Sequence, residues 1–76
     1  MTVLRDVVAV LGEPATVAPF ALAGARVLGA EHPEEARRQW RSLGADVALV
    51  VLTPRAAEAV AELPPPDPSV LWVVLP

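Results

Sequence analysis

The side chains that could do chemistry are few and far apart. His32 is the single histidine, and cysteine is absent, which removes thiolate catalysis, disulfides and cysteine-based metal sites. A metal centre or an acid–base pair would need partners beside His32 that the sequence does not place there. Its position immediately before Pro33 is that of a solvent-facing turn residue at a helix start. A phosphate-cradling loop needs several glycines followed by Lys and Ser or Thr, and a dinucleotide site needs three spaced glycines. The stretch Gly12-Glu13-Pro14-Ala15-Thr16 meets neither requirement. Glu34, Glu35, Arg37 and Arg38 read as a solvated helix face, with an ion pair from Glu34 to Arg38 one turn on. No catalytic constellation, cofactor or metal is expected from these residues. Recognition remains: Trp40 and Trp72 make up most of the aromatic content, and Trp offers a large rigid apolar area with one polar handle.

The elements that must position these groups are visible as four apolar runs rich in β-branched residues, over 7–11, 25–28, 47–52 and 70–75. Their apolar character is continuous, as in parallel strands covered on both faces, and the intervals between them are long enough for helices. The pattern is β-α-β-α-β-α-β. The clearest helix is expected over residues 33–43. Pro33 suits its first position, Glu34 and Glu35 favour the positive end of its dipole, and Arg37, Arg38 and Arg41 follow toward the other end. Ala36, Trp40 and Leu43 form its apolar stripe, which assigns Trp40 to the core, and Gly44 is expected to supply a left-handed cap.

Thr53-Pro54 marks the start of the third helix, with Ala56, Val60 and Leu63 on one face, and Pro64-Pro65-Pro66 ends it. The first helix is ambiguous. Pro14 suits a start, but Pro19 would sit one turn inside. The helix is then either short and kinked, or begins near Pro19 and ends at Gly24. Both versions bury Phe20 and Leu22 or Ala23 against the sheet.

The whole is a single small α/β domain, Rossmann-like or receiver-like, with a four-stranded parallel sheet in the order 2-1-3-4 and helices on both faces. At 76 residues there is room for one core. Strand order then makes a crevice between the ends of strands one and three, lined by Gly12-Glu13 and Thr53-Pro54. A receiver domain keeps a phosphoacceptor Asp where this chain has Leu52-Thr53, and a hydroxyl cannot replace that carboxylate in phosphoryl capture. Trp72 falls on an edge strand, where contact with another chain is expected.

Composition narrows the partners. The chain is 54% hydrophobic and 20% charged with a net charge of -3, which disfavours nucleic acid because phosphate binding needs an excess of Lys and Arg. The longest uncharged stretch, residues 14–25, carries two prolines and is short of the ~20 apolar residues of a membrane span. The start, Met-Thr-Val-Leu-Arg-Asp, does not read as a secretion signal, so the cytoplasm is the expected compartment.

Three segments together resemble the F subunit of the V/A-type rotary ATPases. Val8-Ala9-Val10-Leu11-Gly12-Glu13, followed by Thr16-Val17-Ala18-Pro19-Phe20-Ala21-Leu22-Ala23-Gly24, is similar to that family's opening of an apolar strand, Gly-Asp, Thr-Val and Gly-Phe-x-Leu-x-Gly. Ala48-Leu49-Val50-Val51-Leu52-Thr53-Pro54-Arg55-Ala56-Ala57-Glu58 resembles its third strand and helix. Pro33-Glu34-Glu35-Ala36 resembles its second helix start, and Pro76 its Ile-Pro strand end.

The resemblance implies a four-stranded parallel fold without an active site. It also implies a rotor-shaft role in which the protein binds the coiled coil of the D subunit and helps couple the A/B catalytic ring to ion transport. Phe20, Leu22 and Gly24 of the family-like motif, with Trp72, are the expected interface residues. The departures are Pro19 for glycine, Glu13 for aspartate and Ala21 for a frequent arginine. Family members continue into a mobile C-terminal helix beyond the fourth strand, and this chain ends at Pro76, so the expectation is an N-terminal domain of the F-subunit type over residues 1–76 without that tail. Two other readings stand beside it: a small phosphocarrier or ligand-binding protein using the Gly12–Thr53 crevice, and a free-standing regulatory homodimer.

Overall fold

The computed structural model describes residues 6–76. Four strands, β1 (Val7–Gly12), β2 (Arg26–Gly29), β3 (Val47–Leu52) and β4 (Leu71–Val74), form one sheet in the order β2-β1-β3-β4 with every neighbouring pair parallel. The helices are α1 (Pro14–Val17), α2 (Pro33–Arg41) and α3 (Pro54–Val60), and a 3-10 helix spans Ala18–Ala23. Strand sequence explains the burial: Ala9, Leu11, Val47, Val50 and Leu52 are all buried, because they lie on the face of the two central strands that α2 and α3 cover.

Alternation along β1 separates the two faces. Ala9 and Leu11 join one core cluster with Ala36, Trp40, Ala56 and Val60, so α2 and α3 share that side. Val8 and Val10 point to the other side, beside Phe20 and Ala23 of the 3-10 helix. In β3 the residues buried in the first cluster are Val47, Val50 and Leu52, and the odd spacing from Val47 to Val50 is one that a regular strand would send to opposite faces. A register shift solves this: Val7 pairs with Val47 and Val8 with Leu49, leaving Ala48 as an extra, bulged residue.

Trp40 is 3% exposed, and its indole Nε1 donates to the Pro64 carbonyl at 2.9 Å. It therefore ties α2 to the proline connector as well as filling the core. Thr53 caps α3 as expected, its Oγ1 accepting from the Ala56 N–H at 3.3 Å. The helices stop earlier than the sequence suggests. Helix α3 ends at Val60 and continues as tight turns through Leu63, whose N–H bonds to the Val60 carbonyl. Helix α2 ends at Arg41, where the Ser42 N–H bonds to the carbonyls of Arg38 and Gln39 and its hydroxyl also donates to Gln39. These local bonds satisfy the last carbonyls, and Gly44 is not left-handed: among the described residues the positive φ belongs to Gly24, at 84°.

The first helical segment corrects the expected burial. It is an α-helical turn from Pro14 that tightens into the 3-10 helix across Pro19 and closes on left-handed Gly24. At three residues per turn, Val17, Phe20 and Ala23 align in a row and Leu22 points away. Val17 is fully buried, Phe20 is half-buried, Ala23 is exposed and Leu22 is 96% exposed. Glu34 pairs with Arg37 at 4.0 Å instead of with Arg38, because Arg37 lies toward α3, where its Nε donates to the Ala59 carbonyl at 3.1 Å.

Candidate functional site

The C-terminal ends of β1 and β3 meet as the topology requires, but their meeting point is filled. Gly12 lies against Thr53, and a Cβ at Gly12 would fall 2.2 Å from Thr53 Cγ2 and 2.6 Å from its Oγ1. Thr53 is 1% exposed, its N–H bonds to the Leu11 carbonyl at 3.1 Å, and its hydroxyl is engaged as the α3 cap. Beside it lies a cavity of about 30 Å³ lined by Gly12, Glu13, His32, Ala36, Arg55 and their neighbours. That is room for a water or two, against the roughly 300 Å³ at which ligand clefts begin. His32 is exposed on its rim, as the sequence suggested. Arg55, which the sequence reading did not single out, stands 3.9 Å from Glu13, an exposed pair of little energetic weight.

At the opposite end of the sheet, Arg26 donates to Asp46 at 2.7 Å across the surface. This hydrogen bond holds the Asp46 carboxyl below its usual value and raises the Arg26 guanidinium above its own.

The larger surfaces are apolar. On the side of α1, helix contacts are made with β1 and β2, which leaves the far half of the sheet open. Two cross-strand rows run out along it: Val8, Leu49 and Leu71, and Val10, Val51 and Val73. Along the second row exposure climbs outward, from Val10 at 1% through half-buried Val51 to Val73 at 48%; in the first, Val8 is 38% exposed, Leu49 is half-buried and Leu71 is 69% exposed. The inner part of this trough is a groove of about 710 Å³, walled by Phe20 and Ala23. On the other side, Trp72 registers with Val50 and lines a cleft of about 330 Å³ with Trp40, Leu63 and Pro65.

The structure thus places Phe20 and Gly24, the cap of the 3-10 helix, beside the groove, turns Leu22 of that helix out to solvent, and sets Trp72 on the opposite face of the sheet. Trp72 is 52% exposed on an edge strand, as expected. The groove floor was not singled out from the sequence. Its signal was present in β4, whose Leu71, Trp72, Val73 and Val74 are apolar on both faces although the strand is at an edge.

Fold and surfaces define a small parallel α/β domain whose strand-end crevice is closed by its own side chains and whose prominent features are apolar faces. No helix among the described residues is long and apolar enough to cross a membrane. The chain belongs to the ATP synthase (F/14-kDa) subunit family: the family model matches residues 8–64, from β1 through the turns that follow α3. No curated protein matches the chain significantly.

Proposed function

We propose that this protein is a non-catalytic central-stalk component of a V/A-type rotary ATP synthase, binding the coiled-coil D subunit and helping couple ATP turnover in the A/B ring to proton or sodium movement. The observation that carries the reading is the family match across residues 8–64. The crevice supports it, because the position where a parallel α/β enzyme would hold substrate is taken up by Thr53 packed on Gly12. In this role the protein is cytoplasmic and peripheral to the membrane, held there by its partner.

The test is reconstitution with the purified D subunit, followed by sedimentation and size-exclusion chromatography. A stable complex with one copy of each chain is expected. If the D subunit migrates alone at tens of micromolar of both chains, the stalk role fails. Micromolar binding of ATP or inorganic phosphate, lost in a Thr53→Ala variant, would instead favour the phosphocarrier reading.

A further inference from the structure

From the open trough on the α1 side of the sheet we infer that it seats one amphipathic helix of a partner, lying along β3 and β4. The inference rests on the stalk reading for the partner's identity, but the kind of occupant follows from the surface.

Charge is distributed unequally between the two faces. Helices α2 and α3 carry Glu34, Glu35, Arg37, Arg38, Arg41, Arg55 and Glu58, as a solvated layer should. The opposite side has no charged residue between Pro14 and Ala25, nor in either cross-strand row of the trough. A parallel sheet exposing apolar side chains on one bare face lacks half of its covering layer.

Size sets the occupant. Two neighbouring strands are about 4.8 Å apart and present a floor about 10 Å wide, which matches the ~10 Å diameter of a single helix. Strands β3 and β4, of six and four residues, are about 13–20 Å long, the length of about 9–13 helical residues, or roughly three turns. One helix laid there meets both rows, with Phe20 as a side wall.

A second copy of this chain fits less well. A stable dimer draws on roughly 20–30 residues a side, and the trough offers two rows of three with the Phe20 wall. The charged end of the groove adds a requirement. Asp6 and Arg26 line it, and Arg26 is already paired with Asp46, so among the described residues that end carries an excess of acid. The docked helix should present Lys or Arg there and an apolar stripe elsewhere.

The experiment is a titration of the purified D subunit with the native chain, with Leu71→Glu and Val73→Glu in the trough, and with Glu58→Arg on the opposite layer as control. Circular dichroism melts on every variant establish that the fold survives. Leu22→Glu, at a site 96% exposed, serves as a substitution that cannot disturb the core. The expected result is at least a 30-fold loss of affinity for Leu71→Glu and Val73→Glu, with less than a threefold change for Glu58→Arg. Unchanged binding by both trough variants overturns the inference and leaves the stalk role intact. Absence of binding by the native chain overturns both. A homodimer that dissociates on Val73→Glu assigns the trough to a second copy and also overturns the inference.

Discussion

Gly12 is the position at which geometry makes the sharpest quantitative demand. Within a strand, alanine ordinarily outperforms glycine by about 0.5–1 kcal/mol, because glycine loses more backbone freedom on folding. Here the added methyl would lie 2.2 Å from Thr53 Cγ2, 2.6 Å from Oγ1 and 2.9 Å from Cβ. Thr53 cannot simply rotate away. It is β-branched, 1% exposed, and holds the α3 cap through Oγ1. Overpacking costs about 1–3 kcal/mol and a lost cap about 1 kcal/mol. After the backbone gain, Gly12→Ala should destabilise by about 1–3 kcal/mol. A domain of 76 residues has roughly 4–11 kcal/mol in hand, so the midpoint temperature should fall by about 5–20 °C.

Urea unfolding at constant slope is the assay. Thr53→Ser provides the second arm, since it deletes the closest atom and leaves an unbranched hydroxyl free to turn. The double variant should therefore recover at least about 1 kcal/mol relative to additivity. Stability of Gly12→Ala equal to or above that of the native protein, or a cycle additive within about 0.5 kcal/mol, would falsify the reasoning.

Other outcomes follow from the same structure. Trp40→Ala should cost about 3–5 kcal/mol in chemical denaturation, enough to unfold much of the population, because it empties the core and releases the Pro64 carbonyl. Gly24→Ala should cost about 1–2 kcal/mol, because φ is 84° with nothing within 4 Å of a new Cβ, so the penalty is backbone strain alone. Gly24→Asn should recover part of that loss in the same melts. Asp46→Asn tests the surface pair. The folded carboxyl is held below its ordinary value by Arg26, so its contribution is present above the unfolded pKa of about 3.9 and disappears as pH falls through the folded value. The stability difference between native and variant should therefore shrink to nothing in acid, and 1 M salt at pH 7 should reduce it; a difference that persists at pH 2 contradicts the assignment.

The architecture was legible because its signals are local and agree with one another. Four β-branched runs, proline after His32 and after Thr53, and the Thr53 hydroxyl all point to the same elements, and the structure places them in the order 2-1-3-4. Two features depended on information that spacing does not carry. Leu22 reads as a buried residue under helical periodicity, but Pro19 stands in a segment wound at three residues per turn, and the change of pitch turns Leu22 outward. The trough was hidden for a different reason. Continuous apolar strands signal burial on both faces, and the sequence of β4 does not reveal that the α1 layer stops at β1 and β2. The crevice residues Gly12 and Thr53 were placed correctly by strand order, whereas their steric fit, which closes the crevice, required coordinates.

The two indoles give the molecule separate optical channels. Trp40 is sealed at 3% exposure with its N–H bonded to Pro64, Trp72 is half in solvent on the outermost strand, and tyrosine is absent. Iodide should quench the Trp72 emission and spare the bluer Trp40 signal, so one cuvette follows the rim of the sheet and the interior of the domain at once. A Trp72→Phe variant would then report unfolding alone, while the native protein reports any event that shields β4 without altering the core.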